Sequence, residues 1–225
     1  MALKQKSGEN DITADARTSI APDAFSSLQT RQLPQPRSHG GLPLLDALQR
    51  RHSTREYSDR PLSVALLSDL LWAAYGTNRS NADERTAPYW RQIMVIDIYV
   101  AMADGVWLYS ADQHALLPCV TEDIRSQTGI QYFISEASLN LIYVAHGERM
   151  QDVSLPEDRR LYASVDAAFI GQNVYLFCAS EGLGTVFRST FDKEKITKTL
   201  KLQTGQFVTF VQTVGYPKPR SANPE

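Results

Sequence analysis

The residues whose types and spacing most readily suggest chemistry lie together, as Arg50-Arg51-His52-Ser53-Thr54-Arg55. Three guanidinium groups, an imidazole and two hydroxyls follow directly on an apolar helical pattern. In an extended segment alternate residues point the same way, so Arg51, Ser53 and Arg55 can converge. Arginine forks suit bidentate recognition of phosphate. A solvated charged turn would carry the same residues, and this segment by itself leaves both readings open.

Other chemistries find less support. None of His39, His52, His114 and His146 has an i,i+4 histidine or a helical His–Glu pair, so no metal site is expected. There is no G-x-S-x-G elbow, and no spacing favours a nucleophile–base–acid triad. Gly182-Leu-Gly184 resembles the start of a dinucleotide fingerprint, but Phe187 stands where Gly or Ala is needed. It also follows a helical pattern instead of a strand, so helix-capping glycines are the better expectation. Cys119 and Cys178 are far apart and expected as buried thiols.

The elements that would position the basic cluster can be read from periodicity. Leu44, Leu45 and Leu48 have helical spacing just before it. Residues 63–76 read as a complete helix, with Ser63 as N-cap and Gly76 as C-cap. Residues 93–102 and 139–146 are strand-like, and 105–110 with 114–118 suit a hairpin. A short helix is expected at 121–128 and another at 192–200, with a strand at 207–214. The longest helical pattern runs from about Glu157 to Glu181. It is apolar almost all round between Ala163 and Ala179, with Asp166, Gln172 and Asn173 embedded. Such a helix is expected to be central or to lie in a subunit interface. Helices and strands mix without a regular βαβ repeat, which points to an α+β fold.

Length and composition bound the rest. The chain has 225 residues, 43% hydrophobic and 21% charged, which suits a globular protein with a full core. A net charge of −2 gives no basic excess for nucleic acid or an anionic membrane surface. No apolar run reaches transmembrane length. Only 12 of the first 40 residues are apolar, among Pro22, Pro34, Pro36 and Gly40-Gly41. Residues 1–40 are therefore expected as an arm or linker and 41–225 as one domain. The first residues hold no apolar run of a secretory leader, so a cytoplasmic protein is expected, its leader absent or removed.

Four stretches taken together resemble the flavin-dependent nitroreductase family, in the branch of the azoline-oxidising dehydrogenases of peptide biosynthesis. They are Arg51–Arg55, Arg85-Thr-Ala-Pro88, Asp166 to Gly184, and Val214-Gly-Tyr-Pro-Lys218. The resemblance spans about Leu42 to Lys218. It implies an α+β dimer built on a mixed sheet flanked by helices, with exchanged terminal segments and two FMN sites at the interface. It implies further that Arg51, His52, Ser53 and Arg55 bind the FMN phosphate and ribityl chain, joined by Lys218 and Arg220 from the tail. Ser189 and Thr190 would lie near the reactive edge of the flavin, with Arg188 in the substrate pocket. The implied activity is ping-pong hydride transfer between NADH or NADPH and a small organic acceptor, in which the flavin carries the chemistry and no catalytic side chain is required. An azoline dehydrogenase would need a positioned base, and no Lys–Tyr pair clearly supplies one.

One segment departs from the family pattern. After Thr-Ala-Pro, relatives usually continue with small and amide residues. Here Tyr89 and Trp90 intervene before Arg91 and Gln92, of which Arg91 matches and Gln92 is a longer amide. Tyr89 and Trp90 would either shape a substrate pocket or fill the space of FMN. In the second case the protein would be a non-redox descendant that reuses a narrowed interface pocket.

Overall fold

The computed structural model describes residues 29–79 and 84–219. Nine strands occur there: β1 Arg31–Gln32, β2 Thr77–Arg79, β3 Glu84–Arg85, β4 Ile96–Met102, β5 Gly105–Ser110, β6 Ala115–Val120, β7 Leu139–His146, β8 Gly184–Arg188 and β9 Gln206–Gly215. The helices are α1 Leu44–Arg50, α2 Val64–Tyr75, α3 Pro156–Glu181 and α4 Lys193–Thr199. Seven strands form one sheet in the order β1-β6-β5-β4-β7-β9-β8, and β2-β3 make a separate ribbon.

The α+β architecture matches expectation, but the sheet is not mixed. Every pairing among the described residues is antiparallel. Topology gives the reason. Hairpins join β4 to β5 and β5 to β6. The long crossover through α3 carries the chain past a vacant position, and β9 then returns to fill it. β7 and β8 thus share a direction but never touch, because β9 lies between them.

Alternation divides the core into two layers. Ile96, Ile98 and Val100 of β4 and Leu139, Leu141 and Tyr143 of β7 pack with residues of α2 and α3. Tyr99, Ala101, Ile142 and Val144 face the other way, with Ile196 of α4. β7 is buried at all eight positions, which is why its sequence is a nearly unbroken apolar run.

Local signals place the helix ends. Ser63 Oγ accepts from Leu66 N at 3.2 Å. Gly182 closes α3 in the left-handed region at φ 70°. Gly184, expected as a second cap, instead begins β8. The helix expected at 121–128 is only a 3-10 turn, Arg125–Gln127. Residues 29–41 lie on the body: β1 pairs with β6, Leu33 is buried, and Arg37 is paired with Asp69 and Glu181.

Candidate functional site

The basic segment leaves α1 and runs along the open edge of β8. Thr54 N donates to Thr185 O at 2.9 Å, so the sheet edge is covered here. Gly184 permits the approach, since a Cβ there would come within 2.7 Å of Thr54 Cγ2. Tyr57, fully buried, donates from its hydroxyl to Thr54 O and pairs with Pro217. Lys218 N donates to Glu56 O at 3.1 Å. The first and last motifs are therefore neighbours in space.

Two of the three alternate residues converge, on Tyr175 of α3. The Arg51 guanidinium lies 5.4 Å from the centre of the Tyr175 ring, and Ser53 Oγ is 2.9 Å from its hydroxyl. That hydroxyl also accepts from Phe187 N of β8 at 3.0 Å, tying motif, helix and strand together. Arg55 and His52 are exposed, and His52 Nδ1 is 2.8 Å from Arg50 O. Neither Arg51 nor Arg55 has an ion-pair partner among the described residues. A cation and a hydroxyl so placed, with Arg55 exposed two residues on, suit a phosphate.

Lys218 does not join them. Its Nζ meets Glu136 Oε2 at 2.9 Å and lines a cavity of about 550 Å³ with Tyr57, Asp59 and Arg125. Arg220 lies outside the described residues. Ser189 and Thr190 follow β8 directly and are exposed.

Arg188, expected in a substrate pocket, is turned inward. Five oxygens of its own chain accept from it: Thr213 Oγ1, Thr128 O, Asn140 Oδ1, Gln131 Oε1 and Thr190 O, at 3.1–3.5 Å. Burial lowers its pKa to about 10. β8 is the sheet's last strand, and its terminal side chain fills a polar pocket formed by β7, β9 and the 128–131 segment.

The aromatic segment forms a second group. Tyr89 meets Tyr75 of α2 edge-on at 6.1 Å, and Trp90 stacks on Tyr162 of α3 at 5.3 Å. Both rings pack on the core of their own chain. Trp90 N donates to both carboxylate oxygens of Asp166, at 3.1 and 3.0 Å. Asp166 is 2% exposed, and burial pushes its pKa up to about 6 although the Trp90 N–H pulls the other way. Arg91 and Gln92 stand in the left-handed region at φ 46° and 60°, and both side chains are exposed. For such residues that conformation costs about 1–2 kcal/mol each.

The two groups lie far apart in one chain. Tyr162 and Tyr175 are thirteen residues apart on α3, roughly 20 Å at 1.5 Å per residue. An outward apolar stripe starts beside Tyr162 and runs toward Tyr175: Leu161, Val165 and Phe169 are 57%, 42% and 45% exposed. Leu44, Leu45 and Leu48 of the adjoining α1 are exposed as well. Among the described residues no helix is long and apolar enough to cross a membrane.

Tyr175 and Asp166 are the contacts that motif reasoning did not assign. Asp166 carried a signal, a carboxylate in an otherwise apolar helix. Tyr175 carried none, because an aromatic residue there reads as core.

Comparison with known proteins shows the family and the fold. The family model described as the nitroreductase family matches residues 48–216. A Methanocaldococcus jannaschii protein with a provisional nitroreductase name is 33% identical over 175 residues, 72% of this chain and 86% of that one. The crystal structure of a provisionally named nitroreductase from Ralstonia eutropha aligns with a TM-score of 0.82 at 37% identity, covering 87% and 92% of the two chains. The Escherichia coli microcin synthetase McbBCD complex, solved with truncated pro-MccB17 bound, contains a chain of similar fold. Its TM-score is 0.64 at 16% identity, over 90% of this chain and 85% of that one.

Proposed function

This chain belongs to the nitroreductase family, and from that premise we propose that it is an FMN-dependent oxidoreductase acting as a homodimer. It would exchange hydride in ping-pong fashion between NADH or NADPH and a small organic acceptor. The observation that carries this reading is the half-exposed cradle at the end of α1. There Arg51 and Ser53 meet on Tyr175, and Arg51 and Arg55 have no carboxylate partner among the described residues.

Arg51, Ser53 and Arg55 would hold the FMN phosphate. Its charge would complete charge-assisted hydrogen bonds that the described residues leave unmade. His52 would adjoin that site. Ser189 and Thr190 would border the reactive part of the cofactor, and Lys218 would join after release from Glu136. FMN, when bound, supplies the two-electron chemistry, so the protein's task is to bind, orient and exclude water. A nicotinamide donor fits a cytoplasmic setting.

Arg91 and Gln92 follow Trp90, whose N–H meets Asp166, roughly 14 Å along α3 from Tyr175. We assign them to the flavin held by the other subunit. The apolar stripe on α3 and α1 supports such pairing. The inward packing of Tyr89 and Trp90 on Tyr75 and Tyr162 favours a flavin site over a blocked, non-redox pocket.

The test is titration of the purified protein with FMN, followed by absorbance and calorimetry. The wild type should bind, and Arg51→Ala should weaken binding about 10- to 100-fold, the value of a hydrogen bond between charged groups. A colourless wild type that takes up no FMN, or an Arg51→Ala affinity equal to wild type, overturns the assignment.

A further inference from the structure

We infer that Asp166 is a positioning residue whose buried carboxylate holds the 89–92 turn in the shape that presents Arg91 and Gln92 to the flavin. The inference rests on the flavin reading above and assigns a role to a residue outside the cradle. Three observations carry it.

The first is geometry. The carboxylate takes the Trp90 N–H on both oxygens, at 3.1 and 3.0 Å, immediately before the two left-handed residues. The second is context. Asp166 has no ion-pair partner among the described residues, and this N–H is the donor it engages there. A buried carboxylate so sparsely paired is costly for folding, and an apolar residue would suit the surrounding α3 face better. The third is strain. Arg91 and Gln92 occupy a conformation that long side chains avoid, and such a turn persists only where its surroundings impose it. Stacking of Trp90 on Tyr162 and of Tyr89 on Tyr75 fixes the rings. Asp166 fixes the backbone between those rings and the strained pair. Asp166 acts through the turn.

The experiment compares FMN affinity in full-length wild type, Asp166→Ala and Asp166→Asn, with backbone hydrogen exchange at Trp90 as a second readout. Asparagine keeps one acceptor for the Trp90 N–H, whereas alanine keeps none. Asp166→Ala should bind FMN at least about 10-fold more weakly and exchange the Trp90 amide faster. Asp166→Asn should stay within about 3-fold of wild type and keep the amide protected. If Asp166→Ala does not fold, Asp166→Ser carries the same expectation, since its hydroxyl is too short to reach Trp90. Wild-type affinity in the alanine or serine variant overturns this inference alone, as does an asparagine variant as weak as alanine. A wild type that binds no FMN overturns the flavin reading and this inference with it.

Discussion

Replacing Phe169 with Glu should convert the protein to a monomer and strip it of flavin without unfolding it. Leu161, Val165 and Phe169 on α3 and Leu44, Leu45 and Leu48 on α1 are 42–76% exposed in the single chain. Fully burying a side chain of this kind yields about 1.5–3 kcal/mol. Roughly half of that is still available for each, or about 1 kcal/mol. Pairing two chains through this stripe engages twelve such side chains, for a gross gain of about 12 kcal/mol. Association itself costs about 4–15 kcal/mol, so the net margin is small. Two carboxylates carried into the contact without partners cost several kcal/mol each, which exceeds that margin. Phe169 is already 45% exposed, so the monomer's own melting should hardly change. Sedimentation velocity reads the outcome directly against a chain mass of 25.2 kDa, and absorbance after desalting reads flavin content. A Phe169→Glu protein that stays dimeric and keeps its FMN would refute the claim that this stripe joins the subunits. A Phe169→Glu monomer that still holds FMN tightly would refute the assignment of Arg91 and Gln92 to the partner's flavin.

Two other predictions concern the core. Arg188→Met should lower unfolding free energy by about 3 kcal/mol or more, because it strands several buried acceptors at about 1–3 kcal/mol each. A change in substrate KM with stability intact in denaturant titration would instead restore Arg188 to a substrate pocket. The second prediction is a pH dependence at Asp97. Burial, the largest single influence, would raise its pKa; His146 at 2.7 Å and Arg149 at 3.0 Å together outweigh burial and hold it below the usual range. Because the folded pKa lies below the unfolded one, this stability is present above about pH 4 and lost as pH falls through the folded value. Asp97→Asn should therefore flatten the acid limb of a stability profile measured between about pH 3 and 7. A variant as acid-sensitive as wild type would contradict this.

What the sequence made legible was local. Helix periods, the Ser63 and Gly182 caps and the unbroken apolar run of β7 all lie within one or two turns of the residues that signal them. What stayed hidden depended on distant partners: β8, whose edge is covered by Thr54, and the antiparallel sense of the whole sheet, decided by where β9 returns. Arg188 and Asp166 sharpen the distinction. Each is a charged residue in an otherwise apolar stretch, and from the sequence each presents the same anomaly. In the folded chain they have opposite meanings. Arg188 finds five oxygens contributed by four other parts of the chain and is consumed by the core. Among the described residues Asp166 finds one N–H, 76 residues away in sequence. Every polar interior group must be satisfied, so the one that is fully satisfied by its own fold is explained by folding. The one left sparsely paired calls for a role outside the core's stability. That asymmetry makes the arginine a structural group and leaves the carboxylate beneath Trp90 as the one whose burial the fold alone does not repay.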